Sequence, residues 1–193
     1  MGIKTLLLVR HGDYTLSTNF PDHPDGSLTD QGQKQAELVA NRLKLLKLDA
    51  IHSSPLLRAH ETTQIIAAQC PDVPVLIDVR LRECIPVIPP GDEQYFEGIP
   101  AEFIARGPTE AAMAFAAYCT PLTSDAPDRI EVIVSHGNLL GYLIARALNA
   151  PAEAWVRLDL GNGCISELRI ASRGFMKLIK HNDGSHIPEE LQS

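Results

Sequence analysis

The apolar positions of this chain follow two rhythms. Leu6, Leu7, Leu8 and Val9 form an unbroken run that stops abruptly at Arg10, His11 and Gly12. A short continuous run of this kind predicts a strand buried on both faces, as inside a parallel sheet. DAIHSS, ending on Ser53 and Ser54, predicts the next strand, Val73 to Val79 a third, and RIEVIVS, ending on Ser135 with His136 and Gly137 after it, a fourth. Between them the spacing turns helical. Ala36, Val39, Leu43 and Leu46 recur at helical intervals behind Thr29, an N-cap residue type, and predict a helix from Asp30 to about Leu46 with those four as its buried stripe. Pro55 suits a first helical turn and predicts a helix that carries Arg58 near its start and runs to about Gln69. Further helices are expected over Thr109–Tyr118 and from about Asn138 to Leu148, with one more turn at Pro151–Trp155. Cys164–Ile170 and Phe175–Lys180 then alternate like a hairpin joined at Ala171–Gly174.

The segments left over are of three kinds. Tyr14–Ser27 is polar and rich in Pro, Asp and Gly, which reads as a loop over the strand ends. Ile85–Pro108 holds five prolines and three glycines and reads as an irregular lid or wall. The tail from Asn182 is polar and is expected to be loose. Strands alternating with helices imply an α/β fold, a doubly wound, mostly parallel sheet flanked by helices and finished by the C-terminal hairpin. With no repeat and no linker, residues 1–193 are expected to form one domain, long enough to bury a sizeable core.

Composition narrows the partners. The net charge of −7, from 17 basic and 24 acidic residues, lacks the basic excess of a nucleic-acid binder. An anionic ligand would therefore have to be held by local cations. Cys70, Cys84, Cys119 and Cys164 are scattered without a CxxC, as expected of reduced thiols in the cytosol. The apolar run near the N-terminus is too short for a signal peptide, and no stretch approaches the roughly 20 apolar residues that span a membrane. The expected location is cytoplasmic, with no membrane partner. His60-Glu61 resembles the start of a zinc-protease helix, but position 64 is Gln where a second His is needed, so no metal and no cofactor are expected. His181 and His186 read as solvated, His23 as a loop residue, His52 as a strand residue without a ligand partner, and Trp155 as packing. Oligomeric state is not readable.

The chemistry-bearing residues gather at the carboxyl ends of the predicted strands. They are Arg10 with His11, the segment Ser53–Arg58, Glu83 and His136. Ligands bind at that edge in open α/β sheets. Singly, each has a structural reading: Arg58 as an exposed helix residue, Glu83 as a partner of Arg80 or Arg82, His136 as a core histidine bonded to a carbonyl. Together, two arginines and two histidines suit a phosphate. Arginine meets phosphate oxygens with a planar fork, and Arg58 also lies at a helix start, where N–H groups favour anions. A neutral imidazole can attack phosphorus, Glu83 can protonate a leaving oxygen and later accept a proton from water, and the arginines can neutralise the phosphoryl oxygens without a metal.

At these residues the chain resembles the histidine phosphatase superfamily, also called the phosphoglycerate-mutase-like family. The matching segments are LLLVRHGD, LTDQGQKQA, HSSPLLRAHETT, LREC and IVSHGN, in that order. The resemblance implies that His11 is the phosphorylated nucleophile, that Arg10, Arg58 and His136 form the phosphate pocket, and that Glu83 is the acid and base. IPVIPP after LREC, and PAEAWVRLDLGNGCISELRI, are similar to the family's mitochondrial serine/threonine protein phosphatases. The N-terminal anchor and activating motif of that branch are not found here. Leu16, Ser17 and Thr18 stand where the glycolytic mutases carry an Asn, which favours hydrolysis over mutase activity. The resemblance thus implies a metal-independent phosphatase acting on a phosphorylated protein or small molecule. The alternatives are a phosphoglycerate-type mutase and a non-catalytic phosphate- or protein-binding module.

Overall fold

The computed structural model describes residues 2–15 and 26–193. In chain order the strands are β1 (Ile3–Arg10), β2 (Tyr14–Thr15), β3 (Ser27–Leu28), β4 (Ala50–Ser53), β5 (Val75–Ile77), β6 (Arg129–Ser135), β7 (Ile165–Ala171) and β8 (Met176–Asp183). The α-helices are α1 (Asp30–Leu43), α2 (Leu57–Ala68), α3 (Ala101–Tyr118) and α4 (Gly137–Ala147). The main sheet runs β5-β4-β6-β1-β7-β8. β5, β4, β6 and β1 are parallel, and β7 and β8 close the sheet antiparallel, so the expected α/β fold with its C-terminal hairpin is present.

The unbroken apolar run of β1 is explained by its position. It pairs with β6 on one side and β7 on the other, and successive side chains enter opposite cores. Leu6 and Leu8 join Ile133, Phe103 and Leu139 under α3 and α4. Leu7 and Val9 join Val132, Val134, Val39 and Ala59 under α1 and α2. Each fully buried leucine or valine contributes roughly 1.5–3 kcal/mol.

Several boundaries differ from the sequence reading, each for a packing reason. α1 stops at Leu43, and Leu46 is 44% exposed rather than part of the buried stripe. The chain must turn there to enter β4, and Leu48 takes the buried place instead. The third strand is only Val75–Ile77, because as an edge strand it has β4 alone to pair with. Ile85–Pro108 is not irregular throughout: Glu93–Phe96 forms a 3-10 turn, and α3 begins at Ala101 and runs through Pro108. Proline removes one helix hydrogen bond. The helix persists because buried Phe103 anchors its first half and Gly107 lies so close to the Ile85 carbonyl that a Cβ would come within 1.9 Å.

The tail is not loose. Asp183 ends β8 and pairs with Arg42 at 2.5 Å, Ile187 is buried, and the Gln35 amide donates to the Leu191 carbonyl at 2.6 Å. Contacts to α1 hold it in place. For the same reason His186, expected to be solvated, is half-buried with Nε2 3.1 Å from the Gly163 carbonyl. Of the expected loop Tyr14–Ser27, the ends pair as β2 and β3; residues 16–25, with His23, lie outside the described residues.

Candidate active site

Parallel pairing sets the carboxyl ends of β1, β6 and β4 side by side. Arg10 is in register with Ser135, and Ser53 with Val134. The backbone continues this alignment past the strands: His11 N–H donates to the Ser135 carbonyl at 3.0 Å and Ser54 N–H to the Val134 carbonyl at 3.0 Å. His11, Ser54 and His136 are thereby brought onto one edge. α2 and α4 start directly beyond it, with Arg58 in the first turn of α2 and His136 capping α4.

Gly12 is required by a close approach of backbone. The group that comes close to it is α1: a Cβ on Gly12 would lie 2.4 Å from the Gly32 carbonyl, and one on Gly32 1.9 Å from the Asp13 carbonyl. The two glycines let the His11 turn dock on the start of α1. Gln35 and Thr62 complete the mounting. Gln35 Oε1 accepts from Asp13 N–H at 2.7 Å, and Thr62 Oγ1 accepts from Gly12 N–H at 3.1 Å while its hydroxyl donates to the Arg58 carbonyl at 2.8 Å.

The tautomers of the two histidines follow from their partners. His11 Nδ1 is 2.8 Å from the Gly12 carbonyl, an oxygen that can only accept, so Nδ1 carries the proton. Nε2 is then a bare lone pair, and it accepts from Arg58 Nε at 3.1 Å. His136 Nε2 lies 2.8 Å from Ser54 Oγ. Among the described residues Nε2 is the one acceptor in reach of the Ser54 hydroxyl proton, which places the His136 proton on Nδ1. The two rings are 5.0 Å apart. Burial, then the neighbouring charges of Arg58 and Arg10, keep His11 well below the usual histidine range; burial, then His11 and the same arginines, do so for His136.

Glu83 is buried on the same cleft, with Oε1 accepting from Cys84 N–H at 3.0 Å. Burial raises its carboxyl to about 7, against the opposing pull of the Cys84 N–H, Arg58 and Arg10. It does not pair with Arg80, which is bound to Asp78 at 2.6 Å. Asn138 steadies it by donating to the Cys84 carbonyl at 3.2 Å. The cleft has a volume of about 230 Å³, and its wall includes Arg10, His11, Tyr14, Glu83, Asn138 and Trp155. Arg58 is 1% exposed and lies behind this wall, its guanidinium 4.6 Å from the Tyr14 ring centre. Arg10 is anchored through a guanidinium nitrogen on the Leu160 carbonyl. Among the described residues its Nε and His136 Nδ1 are buried without a hydrogen-bond partner.

All five residues singled out in the sequence, Arg10, His11, Arg58, Glu83 and His136, thus converge. Asp13, next to the His11 turn, does not join them, because its carboxylate accepts from Thr29 Oγ1 at 2.7 Å at the start of α1. Trp155 is fixed by its indole N–H on the Val87 carbonyl at 2.7 Å, and forms part of the cleft wall as well as packing. His52 lies 3.6 Å from Glu131, away from the cleft. Tyr14, Gln35, Ser54, Thr62 and Asn138 act in the site without having been singled out. Only Thr62 carried a local signal, one helical turn after Arg58. Among the described residues no group of three or more His, Cys, Asp or Glu could hold a metal ion, and no helix is long and apolar enough to cross a membrane.

This geometry coincides with a sequence family. A model of the histidine phosphatase superfamily, branch 1, matches residues 6–87 and 99–183. The chain belongs to this superfamily. Among its relatives, the mitochondrial serine/threonine-protein phosphatase Pgam5 of Caenorhabditis elegans is 33% identical over 192 residues. That match covers 96% of this chain but 64% of the relative, so the chain spans somewhat less than two thirds of that protein. Two solved members of similar shape are a phosphoserine phosphatase from Entamoeba histolytica (26% identity, TM-score 0.71, 96% of this chain and 100% of that one) and a phosphoglycerate mutase from Plasmodium falciparum (26%, 0.66, 98% and 96%). The comparison corrects the cytoplasmic location expected above, since the worm relative and its fly and frog counterparts are named mitochondrial. The four cysteines are free and buried. Free buried thiols do not single out the cytosol.

Proposed function

We propose that this chain is a metal-independent phosphatase that hydrolyses phosphate monoesters through a phosphohistidine on His11. The observation that carries the reading is the pair of fixed tautomers: an unprotonated Nε2 on His11 beside a protonated Nδ1 on His136. One is a nucleophile, the other a neutral donor to a phosphoryl oxygen. Among the described residues Arg10 Nε is a second buried donor without a partner. Arg58 supplies charge, and its Nε–H leaves the His11 lone pair for a phosphoryl oxygen as the ester arrives.

His11 Nε2 attacks phosphorus while Nδ1–H, held by the Gly12 carbonyl, stabilises the positive charge that develops on the ring. Glu83 has a carboxyl at about 7 and is protonated in a useful fraction near neutrality, so it gives its proton to the departing alkoxide. The carboxylate left behind then takes a proton from water as the water attacks phosphohistidine. Phosphate leaves and Glu83 is protonated again. The substrate is a phosphorylated protein, as the worm relative's name suggests for that protein, or a small phosphate ester. The Plasmodium structure favours a second reading, a mutase, which differs in shielding the phosphoenzyme from water.

The test is turnover of p-nitrophenyl phosphate with and without EDTA, followed by an alkaline quench. Hydrolysis unaffected by chelator, an acid-labile and base-stable phosphate on His11, and loss of turnover in His11→Ala are expected. Label on a serine, or an active His11→Ala, would overturn the mechanism. Slow hydrolysis with fast transfer to a phosphoglycerate would select the mutase.

A further inference from the structure

The cleft wall holds one acid that the mechanism does not use. Asp159 lies between the short helical turn Ala152–Arg157 and β7, on the same cleft as Arg10, His11 and Glu83. It is exposed, and among the described residues it makes no ion pair. Asp159 is next in sequence to Leu160, whose carbonyl seats the Arg10 guanidinium, and it also borders the groove of Cys164 and Asn182. The other side of this wall is equally fixed: Trp155 is tied to Val87 and backed edge-on by Phe96 at 6.3 Å. The wall of the cleft therefore includes an acid and an aromatic residue together with the arginine proposed to hold the phosphate.

A carboxylate at that place opposes binding of a phosphate dianion unless something on the substrate answers it. Glu83 raises less of this conflict, since a carboxyl at about 7 is protonated in a useful fraction of molecules near neutrality. A cation on the alcohol side of the ester would meet Asp159 and the Trp155 ring together. We propose that Asp159 is a specificity residue that selects phosphate monoesters whose alcohol carries a positive charge near the ester oxygen. The charge is an ammonium or guanidinium, either on a small amino-alcohol phosphate or on a residue flanking a phosphoserine. This rests on the phosphatase reading, and the phosphate end of the substrate is held as described there.

The test compares kcat/KM for phosphoethanolamine and propyl phosphate, which differ in an ammonium against a methyl group. The wild type should favour phosphoethanolamine by about fivefold at low salt, the size expected of one partly screened pair, and the preference should shrink as salt rises. Asp159→Asn should bring the ratio near one, and Asp159→Lys should turn it towards acid-bearing esters such as phosphoglycerate. Phosphoserine peptides flanked by Arg or by Glu form the second arm. If the preference appears there and not with phosphoethanolamine, the cation belongs to a peptide; the reverse assigns it to a small molecule. Equal ratios for wild type and Asp159→Asn in both arms would overturn the proposal. Turnover of p-nitrophenyl phosphate reports on the phosphatase reading separately. The same ratios measured as dissociation constants need no turnover, so an inactive protein would refute that reading and still decide this one.

Discussion

Glu83→Gln should stabilise the protein in alkali while crippling it as a catalyst. The folded site moves the carboxyl from 4.5 to about 7, mainly by burial. Below about pH 4.5 both folded and unfolded chains are protonated, and the exchange for Gln costs nothing through this route. Between the two values the folded chain keeps a proton that the unfolded chain has released, so the wild type loses stability as pH rises. Above the folded value the loss is complete. Two and a half decades at about 1.4 kcal/mol each give roughly 3 kcal/mol. Gln cannot ionise, and its Oε1 can still accept the Cys84 N–H, so the variant escapes the loss. Urea titrations from pH 4 to 8.5 should show coincident stabilities at the acid end, with the variant ahead by roughly 3 kcal/mol at the alkaline end. In Tm that is roughly 6–12 °C for a chain of this size. The depressed histidines act in both proteins and cancel in the difference. A stability difference independent of pH would refute the account of Glu83 as a carboxyl held neutral by burial. Kinetically, the same variant should lose most on a phosphoserine peptide and less on an aryl phosphate, whose leaving oxygen needs little protonation.

Arg58→Lys should slow turnover by roughly 10²-fold or more in steady-state assays, because a point charge cannot reproduce a two-pronged contact or the Nε contact to His11; near-normal rates would remove Arg58 from the phosphate pocket. Thr62→Val should destabilise the fold by about 1–3 kcal/mol in denaturant titrations, since it strands the buried Gly12 N–H, and it should lower kcat more than it raises KM; an unchanged stability would mean that the Gly12 turn is held without it.

The parts of this site that were legible in the sequence are those that terminate a regular element. Arg10 and His11 end an apolar run, His136 ends another, and Arg58 follows a proline that stands just ahead of α2 rather than in its first turn as expected, so the period itself points to them. Glu83 was placed from the end of β5, although a 3-10 turn at Val79–Leu81 intervenes. Gln35 and Tyr14 gave no such signal. Gln35 is polar and fully buried on α1, and its role arises only when that helix packs beside the His11 turn. Tyr14 matters because its ring meets Arg58, 44 residues later in the chain. The helical course through Pro108 and the ordered tail were hidden for the same reason: local composition argued against structure, and contacts with distant residues outweighed it.

The central place of β1 makes its residue count a form of calibration. Every position from Ile3 to Val9 is in register with β7, and from Lys4 to Arg10 with β6. One inserted residue would send Leu6 and Leu8 into the compartment of Leu7 and Val9, and would carry His11 about 3.3 Å along the strand. The same error would unsort both interiors and detune the nucleophile. An inserted residue would therefore be borne by the connections and not by β1, which acts as a gauge in which fold and chemistry share a single count.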